Sequence, residues 1–392
     1  MDTFVSHNYI MSTRKIILIV SLFFITLTLF RILWLEFHTI PDHPNVSKGE
    51  LDLRNWDQIT EHMITLDGEW EFYPETFLVE NNIATNFSLS KDNFIQVPGN
   101  WTTPKNKSNT YGYGSYRLRI FVDSNKGQTY GIRIPSIDNA SELYINGERV
   151  GQSGKPAVEK EFYEPLNTPY TAFFTLDKTD EIEIIIQVAN FEYPSSGGIV
   201  QSIQFGLAEP FIKKTNFEYN IVIVACIIYL LHALYSFVLF LLRNKDLRFL
   251  YFSFMIFGVI LATLIEQRLL FAWIPISFEW SIKITYLAMI VGCFSLFQLI
   301  KHLISDSTRG IFNRAYLILC VISIIIILIL PASYHFSLEL LYVIIMLIPC
   351  LLAPALMFKA TSKINNDNIF LLLAAIAAIG SLIWLIIIQT FR

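Results

Sequence analysis

Residues 219–242 read YNIVIVACIIYLLHALYSFVLFLL, an apolar run without a single charged side chain. A helix rises about 1.5 Å per residue, so crossing roughly 30 Å of hydrocarbon takes about 20 mostly apolar residues. The run is long enough and reads as a membrane-spanning helix. Six more stretches qualify or nearly do: 16–35, broken by Arg31, and then 249–265, 284–300, 315–331, 340–358 and 369–391. Trp280 and Tyr334 flank the shorter ones and suit the membrane interface. One helix therefore precedes a long polar insert and six follow it.

The composition agrees. Of 392 residues, 53% are hydrophobic and 16% charged, where an ordinary soluble domain carries about a quarter charged. Mean hydropathy is +0.47. A wholly soluble enzyme and a disordered or collagen-like chain are excluded. The net charge of −4 gives no basic balance for nucleic acid, so lipid is the partner of the helices. Cys226, Cys293, Cys320 and Cys350 all lie in apolar stretches and read as small packing residues; the insert has none and no disulfide.

Loop charges set an orientation. Arg14 and Lys15 place the N-terminus in the cytoplasm. Arg243, Lys245 and Arg248, then Lys301, Arg309 and Arg314, then Lys359 and Lys363 mark cytoplasmic loops, whereas 331–338 has no positive charge and 267–283 only Arg268 and Lys283. The insert is thus expected outside. The first stretch resembles a signal peptide, but no small-x-small cleavage site follows Arg31, which favours a retained anchor. The expected domains are a cytoplasmic tail and signal anchor at 1–35, a linker at 36–50, an exported domain at 51–212 and a six-helix bundle at 213–392.

Within the insert the period changes from helical to strand-like. Tyr116, Leu118, Ile120 and Val122 alternate with Arg117, Arg119 and Phe121; Ile182, Ile184, Ile186 and Val188 alternate with Glu181, Glu183 and Gln187. Stretches 129–134 and 142–145 also read as strands, the second ending in Asn146-Gly147, the pair a type I′ hairpin turn needs. Many short strands without an amphipathic helix predict an all-β sandwich or jelly roll. The fold class is therefore an all-β jelly-roll exported domain plus an α-helical transmembrane bundle.

Four motifs in order carry a resemblance: Leu66-Asp-Gly-Glu-Trp-Glu-Phe72, Val97-Pro-Gly-Asn-Trp101, Tyr113-Gly-Ser-Tyr-Arg-Leu-Arg119 and Ala140-Ser-Glu-Leu-Tyr-Ile-Asn-Gly147. The series resembles the galactose-binding-like jelly roll of family 2 glycoside hydrolases. With a helical bundle after it, the chain is similar to bacterial seven-transmembrane receptors with diverse intracellular signalling modules. The resemblance implies a bacterial plasma membrane, an accessory rather than catalytic jelly roll, and seven helices followed by a cytoplasmic output domain. Only six helices follow here, so a further helix and output domain are expected beyond Arg392, or else a separate cytoplasmic signalling protein as partner.

Sugar recognition uses aromatic faces and planar polar groups. Trp101, Tyr111 and Tyr113 cluster around glycines, Phe162, Tyr163 and Glu164 occupy a loop, and Asn190, Glu192 and Tyr193 precede a Pro-Ser-Ser-Gly-Gly run. Trp101, Tyr113, Glu164, Asn190 and Tyr193 are taken as ligand-binding candidates for a carbohydrate or similar polar ligand. Trp70, Tyr116 and Arg117 read as core and rim, a role equally open to Trp101, Tyr113 and Glu164.

No residue is assigned to catalysis, to a metal or to a cofactor. Asp67, Glu69, Glu71, Glu164 and Glu192 are what a solvated surface shows, and His62 stands alone in the insert. In the helices His232, Glu266 and Gln298 stand out as polar: Glu266 sits at a helix end beside Arg268, Gln298 lies one turn from the cytoplasmic edge, and for the deeper His232 one helix-to-helix hydrogen bond would suffice. The first functional reading is a cell-surface receptor that is not itself an enzyme. A non-signalling scaffold for wall polymers or a protein partner is the alternative, and a transporter with an accessory domain the third.

Overall fold

The computed structural model describes residues 13–38 and 42–360 apart from internal stretches, the longest being 85–92, 102–109, 270–275 and 305–309. The expected span at 369–391 lies outside the described residues.

The chain opens with helix α1 (Thr13–His38). Thirteen strands follow among the described residues: β1 (Glu50–Asp52), β2 (Ile64–Thr65), β3 (Gly68–Pro74), β4 (Val79–Glu80), β5 (Ile83–Ala84), β6 (Phe94–Val97) and β7 (Gly112–Phe121), then β8 (Thr129–Ile134), β9 (Ala140–Ile145), β10 (Glu148–Ser153), β11 (Tyr170–Thr175), β12 (Glu181–Asn190) and β13 (Gln204–Leu207). A large sheet runs β10-β9-β12-β7-β3-β6, with β1 beside β7 as its one parallel pairing; a small antiparallel sheet runs β11-β8-β13-β2. The short pair β4–β5 stands apart.

The alternation read from the sequence sets the register. Ile182, Ile184 and Ile186 of β12 lie opposite Ile120, Leu118 and Tyr116 of β7. Ile132, Ile134, Ala172 and Phe205 of the small sheet join them and Trp70 in one core. Burial of Trp70 requires a partner for its ring N–H, which donates to Leu66 O at 2.8 Å. Asn146 and Gly147 have φ of 49° and 83° between β9 and β10, the two positive angles that the Asn-Gly reading demands.

The other face of the large sheet carries a charge network. Glu71 is 4% exposed and lies between Arg117 (3.7 Å) and Arg119 (3.8 Å), while the Tyr73 hydroxyl donates to it at 3.1 Å. Arg117 also pairs with Glu183 at 2.6 Å and Arg119 with Glu50 at 2.8 Å. A carboxylate this far from water needs such neighbours, because burying an unpaired charge is strongly unfavourable.

The helical part comprises α2 (Ala208–Leu242), α3 (Leu247–Glu266), α4 (Phe278–Ile304), α5 (Gly310–Ile329), the short α6 (Ala332–Ser337) and α7 (Glu339–Ala360). Among the described residues, three helices are long and apolar enough to cross a membrane: Ala208–Leu242, Leu247–Ile265 and Glu279–His302. Leu231, Leu234, Tyr235, Leu241 and Leu242 are exposed on α2, an apolar surface that suits lipid and not water. Helix α2 begins well ahead of its apolar run. Glu209 favours a helix start, Pro210 is tolerated in a first turn, and Lys213, Lys214 and Asn216 are invisible to an apolar window.

His232 turns back to its own helix. It is exposed, and its Nδ1 lies 2.8 Å from Ile228 O on its own helix. The interhelical bond is instead made by Gln298, whose Nε2 donates to Asn313 Oδ1 on α5 at 3.0 Å. Helices α3 and α4 approach closely at Gly258: a Cβ there would meet Ala288 O at 2.8 Å, whereas one at Gly292 meets nothing nearer than Met255 O at 3.9 Å. Gly258→Ala should therefore lower stability by about 1–3 kcal/mol, the range for overpacking, and Gly292→Ala should be almost neutral. Melting curves of the two variants in one detergent check this; equal midpoints would refute it.

Candidate functional site

One end of the β-domain is built around Asn190, the last residue of β12. Its side chain is fully buried. Nδ2 donates to Thr110 O (2.9 Å), Tyr193 O (2.7 Å) and Ser196 O (3.0 Å), and Oδ1 accepts from the backbone N–H of Glu192 (3.2 Å) and Tyr193 (2.8 Å). One carboxamide thus ties the start of β7 to the segment after β12. Satisfied buried amides of this kind fix a loop in one conformation.

Trp101 reinforces the same corner. It is 6% exposed, packs 6.1 Å from the Phe72 ring, and donates Nε1–H to Thr110 O at 3.0 Å. The Trp101 N–H bonds to Gly197 O (3.0 Å) and the Gly99 N–H to Ile199 O (2.8 Å), a short ladder between two loops. The Gly197 N–H bonds to Asn100 Oδ1 at 3.2 Å. Gly197 and Gly198 are required by crowding. A Cβ on Gly197 would strike the Trp101 ring nitrogen, and one on Gly198, whose φ is +89°, would strike the Tyr116 hydroxyl. Burial drives the Tyr116 hydroxyl well above the ordinary phenol range.

Around this corner lies a half-open aromatic shell. Tyr113, opposite Ala189 in register, packs on Phe77 at 5.1 Å. Tyr163 meets Phe191 edge-on at 5.4 Å; burial, and then the charge of Glu192, raise its hydroxyl's pKa. Glu164 is exposed, its backbone pairing with Lys155 at 2.9 and 3.0 Å. Further out, Tyr111 is 44% and Phe162 63% exposed.

The five sequence candidates thus divide. Trp101 and Asn190 are buried and bonded within the protein, where they shape the corner. Tyr113, Tyr193 and Glu164 lie nearer the solvent. Nothing in the residue pattern pointed to the central part played by the Thr110 carbonyl, which accepts from both Trp101 and Asn190, or to the burial of Glu71. Among the described residues, no three His, Cys, Asp or Glu side chains are grouped to hold a metal ion.

An antiparallel β-domain followed by long apolar helices defines a membrane protein with a sizeable polar domain. Residues 218–391 match the family described as 7TM diverse intracellular signalling. The match covers less than half of the chain and agrees with the likeness that the motif order and architecture led us to expect. No curated protein matches the chain.

Solved structures similar to part of it include a family 2 β-galacturonidase from Eisenbergiella tayi bound to galacturonate (17% identity, TM-score 0.26, covering 37% of this chain and 24% of that one). The Faecalibacterium prausnitzii β-glucuronidase (15%, 0.29, 38% and 31%) and that of Ruminococcus gnavus (15%, 0.27, 37% and 28%) are others. The chain spans between 24% and 31% of these enzymes' lengths, and at these scores the likeness carries nothing about activity.

Proposed function

We propose that this protein is a bacterial cell-surface receptor. Its β-domain, a jelly roll of the galactose-binding-like kind, binds a carbohydrate or similar polar ligand outside the plasma membrane, and the seven-crossing helical part conveys the change to a cytoplasmic signalling protein or output domain. The orientation rests on the alternating loop charges, and the jelly roll on the four ordered motifs. The observation that carries ligand binding is the Asn190 corner. A floor in which one buried amide lies within hydrogen-bonding distance of five backbone groups gives a preorganised base for the exposed Tyr111, Phe162 and Glu164 and the half-buried Tyr113 and Tyr193. Rigid support with exposed aromatic faces is what sugar stacking requires.

The test is a glycan array probed with the full chain in detergent micelles. Binding of a defined glycan class, weakened at least roughly tenfold by Glu164→Ala or Phe162→Ala with an unchanged melting temperature, is the expected result; one lost contact of about 1.4 kcal/mol is enough for that factor. Folded protein that binds no glycan yet retains a protein partner would overturn the sugar reading and leave the scaffold.

A further inference from the structure

We propose that residues 196–211 tie the Asn190 corner mechanically to α2, with Arg133 the positioning residue that clamps the start of that helix onto the small sheet. The inference holds for any ligand taken at the corner.

The connection is short and held at every stage. At the corner, Ser196 O, Gly197 O and Ile199 O accept from Asn190 Nδ2, Trp101 N and Gly99 N. Ile199 and Ile203 are then buried in the core, and Ile203 O accepts from Leu66 N at 2.9 Å. The chain enters β13, where Gly206 and Leu207 lie opposite Gly131 and Tyr130 of β8. Leu207 is at once the last strand residue and the N-cap of α2, so no flexible linker separates sheet from helix. At about 3.3–3.6 Å per extended residue, the corner and the helix start are at most about 40 Å apart along the chain.

The exposed start of α2 is then held twice on one face. Phe211 is buried edge-on against Phe173 at 5.9 Å, over a place on β8 where only glycine fits: a Cβ on Gly131 would lie 2.9 Å from Phe173 and 3.0 Å from Phe211. Two turns on, the same helix face brings Glu218 and Tyr219 to Arg133. Residue 133 shares its side of β8 with residue 131. Arg133 lies 3.4 Å from Glu218 Oε2 and 3.5 Å from the Tyr219 hydroxyl, its guanidinium 5.5 Å above the Tyr219 ring.

These contacts fall where α2 turns from polar to apolar, the depth at which tyrosine suits the membrane interface. A partly exposed ion pair contributes about 1 kcal/mol or less. The clamp can therefore be released by a modest change in the β-domain.

Hydrogen exchange of the full chain in lipid nanodiscs, with no ligand present, tests this independently of the sugar reading. Arg133→Ala should speed exchange over residues 208–216 about fivefold, and Arg133→Lys, which loses the planar fork, should recover little of it. Arg133→Glu combined with Glu218→Arg should return exchange to within about twofold of the native rate, a rescue that a space-filling role does not predict. Asn190→Asp, which deletes the three donated bonds at the corner, should also speed exchange over 208–216, and should add nothing in the Arg133→Ala background. Thr110→Val, which removes the hydroxyl that donates to Tyr193 O at 3.3 Å and leaves the Thr110 carbonyl in place, serves as a milder corner variant if the first fails to fold. Exchange at 208–216 that ignores the corner substitutions, effects that simply multiply, or a charge swap that restores nothing would each overturn the proposal.

Discussion

Gly198→Ala is expected to destabilise the β-domain by about 2–5 kcal/mol, the sum of left-handed strain for an L-residue and overpacking against a full core. The residue combines a φ of +89° with a place where any Cβ would collide with the Tyr116 hydroxyl. Gly127 supplies the control: its φ is +85°, yet nothing lies within 4 Å of its Cβ position. Gly127→Ala should therefore show the strain alone, about 1–2 kcal/mol. Against a typical domain stability of about 5–15 kcal/mol, the first substitution can unfold the domain and the second cannot. Thermal melts of both variants, followed by near-ultraviolet circular dichroism, decide it. Equal shifts would show that the crowding at Tyr116 has no energetic weight.

Trp101→Ala should lower stability by about 3–5 kcal/mol, as truncation of a buried aromatic does. Its ring packs on Phe72 and its N–H is taken up by Thr110 O. That carbonyl keeps a second donor in Asn190, so the loss comes from the emptied volume and not from an orphaned acceptor. Trp101→Phe should recover much of the loss. Glu164→Ala, at an exposed position, should stay within about 0.5 kcal/mol of the native protein. A Trp101→Ala protein that melts like the native one would return this residue to the ligand-contacting set.

The parts of the fold that were legible in the sequence are those specified locally. The alternation in β7 and β12 and the Asn146-Gly147 turn depend on neighbours one or two residues away, and the structure has both. The apolar runs of the helices are equally local. By contrast, the roles of Trp101 and Asn190 depend on where Thr110 and Ser196 arrive in space, at sequence separations no pattern records. Glu71 looked like a surface carboxylate because its alternation places it on the outer face; Tyr73, Arg117, Arg119 and the close passage of Gly49 cover it. The first turns of α2 were missed because Glu209, Lys213, Lys214 and Asn216 make no apolar pattern, and their helicity is secured by Phe211 on the small sheet.

The unbroken passage from β13 into α2 makes bilayer thickness a quantity the β-domain can register. The helix has 35 residues, about 52 Å of rise, of which the apolar run alone takes about 36 Å. A hydrocarbon layer of about 30 Å is thinner than that run, and a helix with excess apolar length accommodates by tilting, kinking or thickening the lipid around it. While the proposed clamp holds the first turns to the small sheet, a tilt of the helix would be handed to the β-domain, and its loop end would swing with it. Lipids of different chain length would then set different resting attitudes of the domain above the membrane, before any ligand arrives.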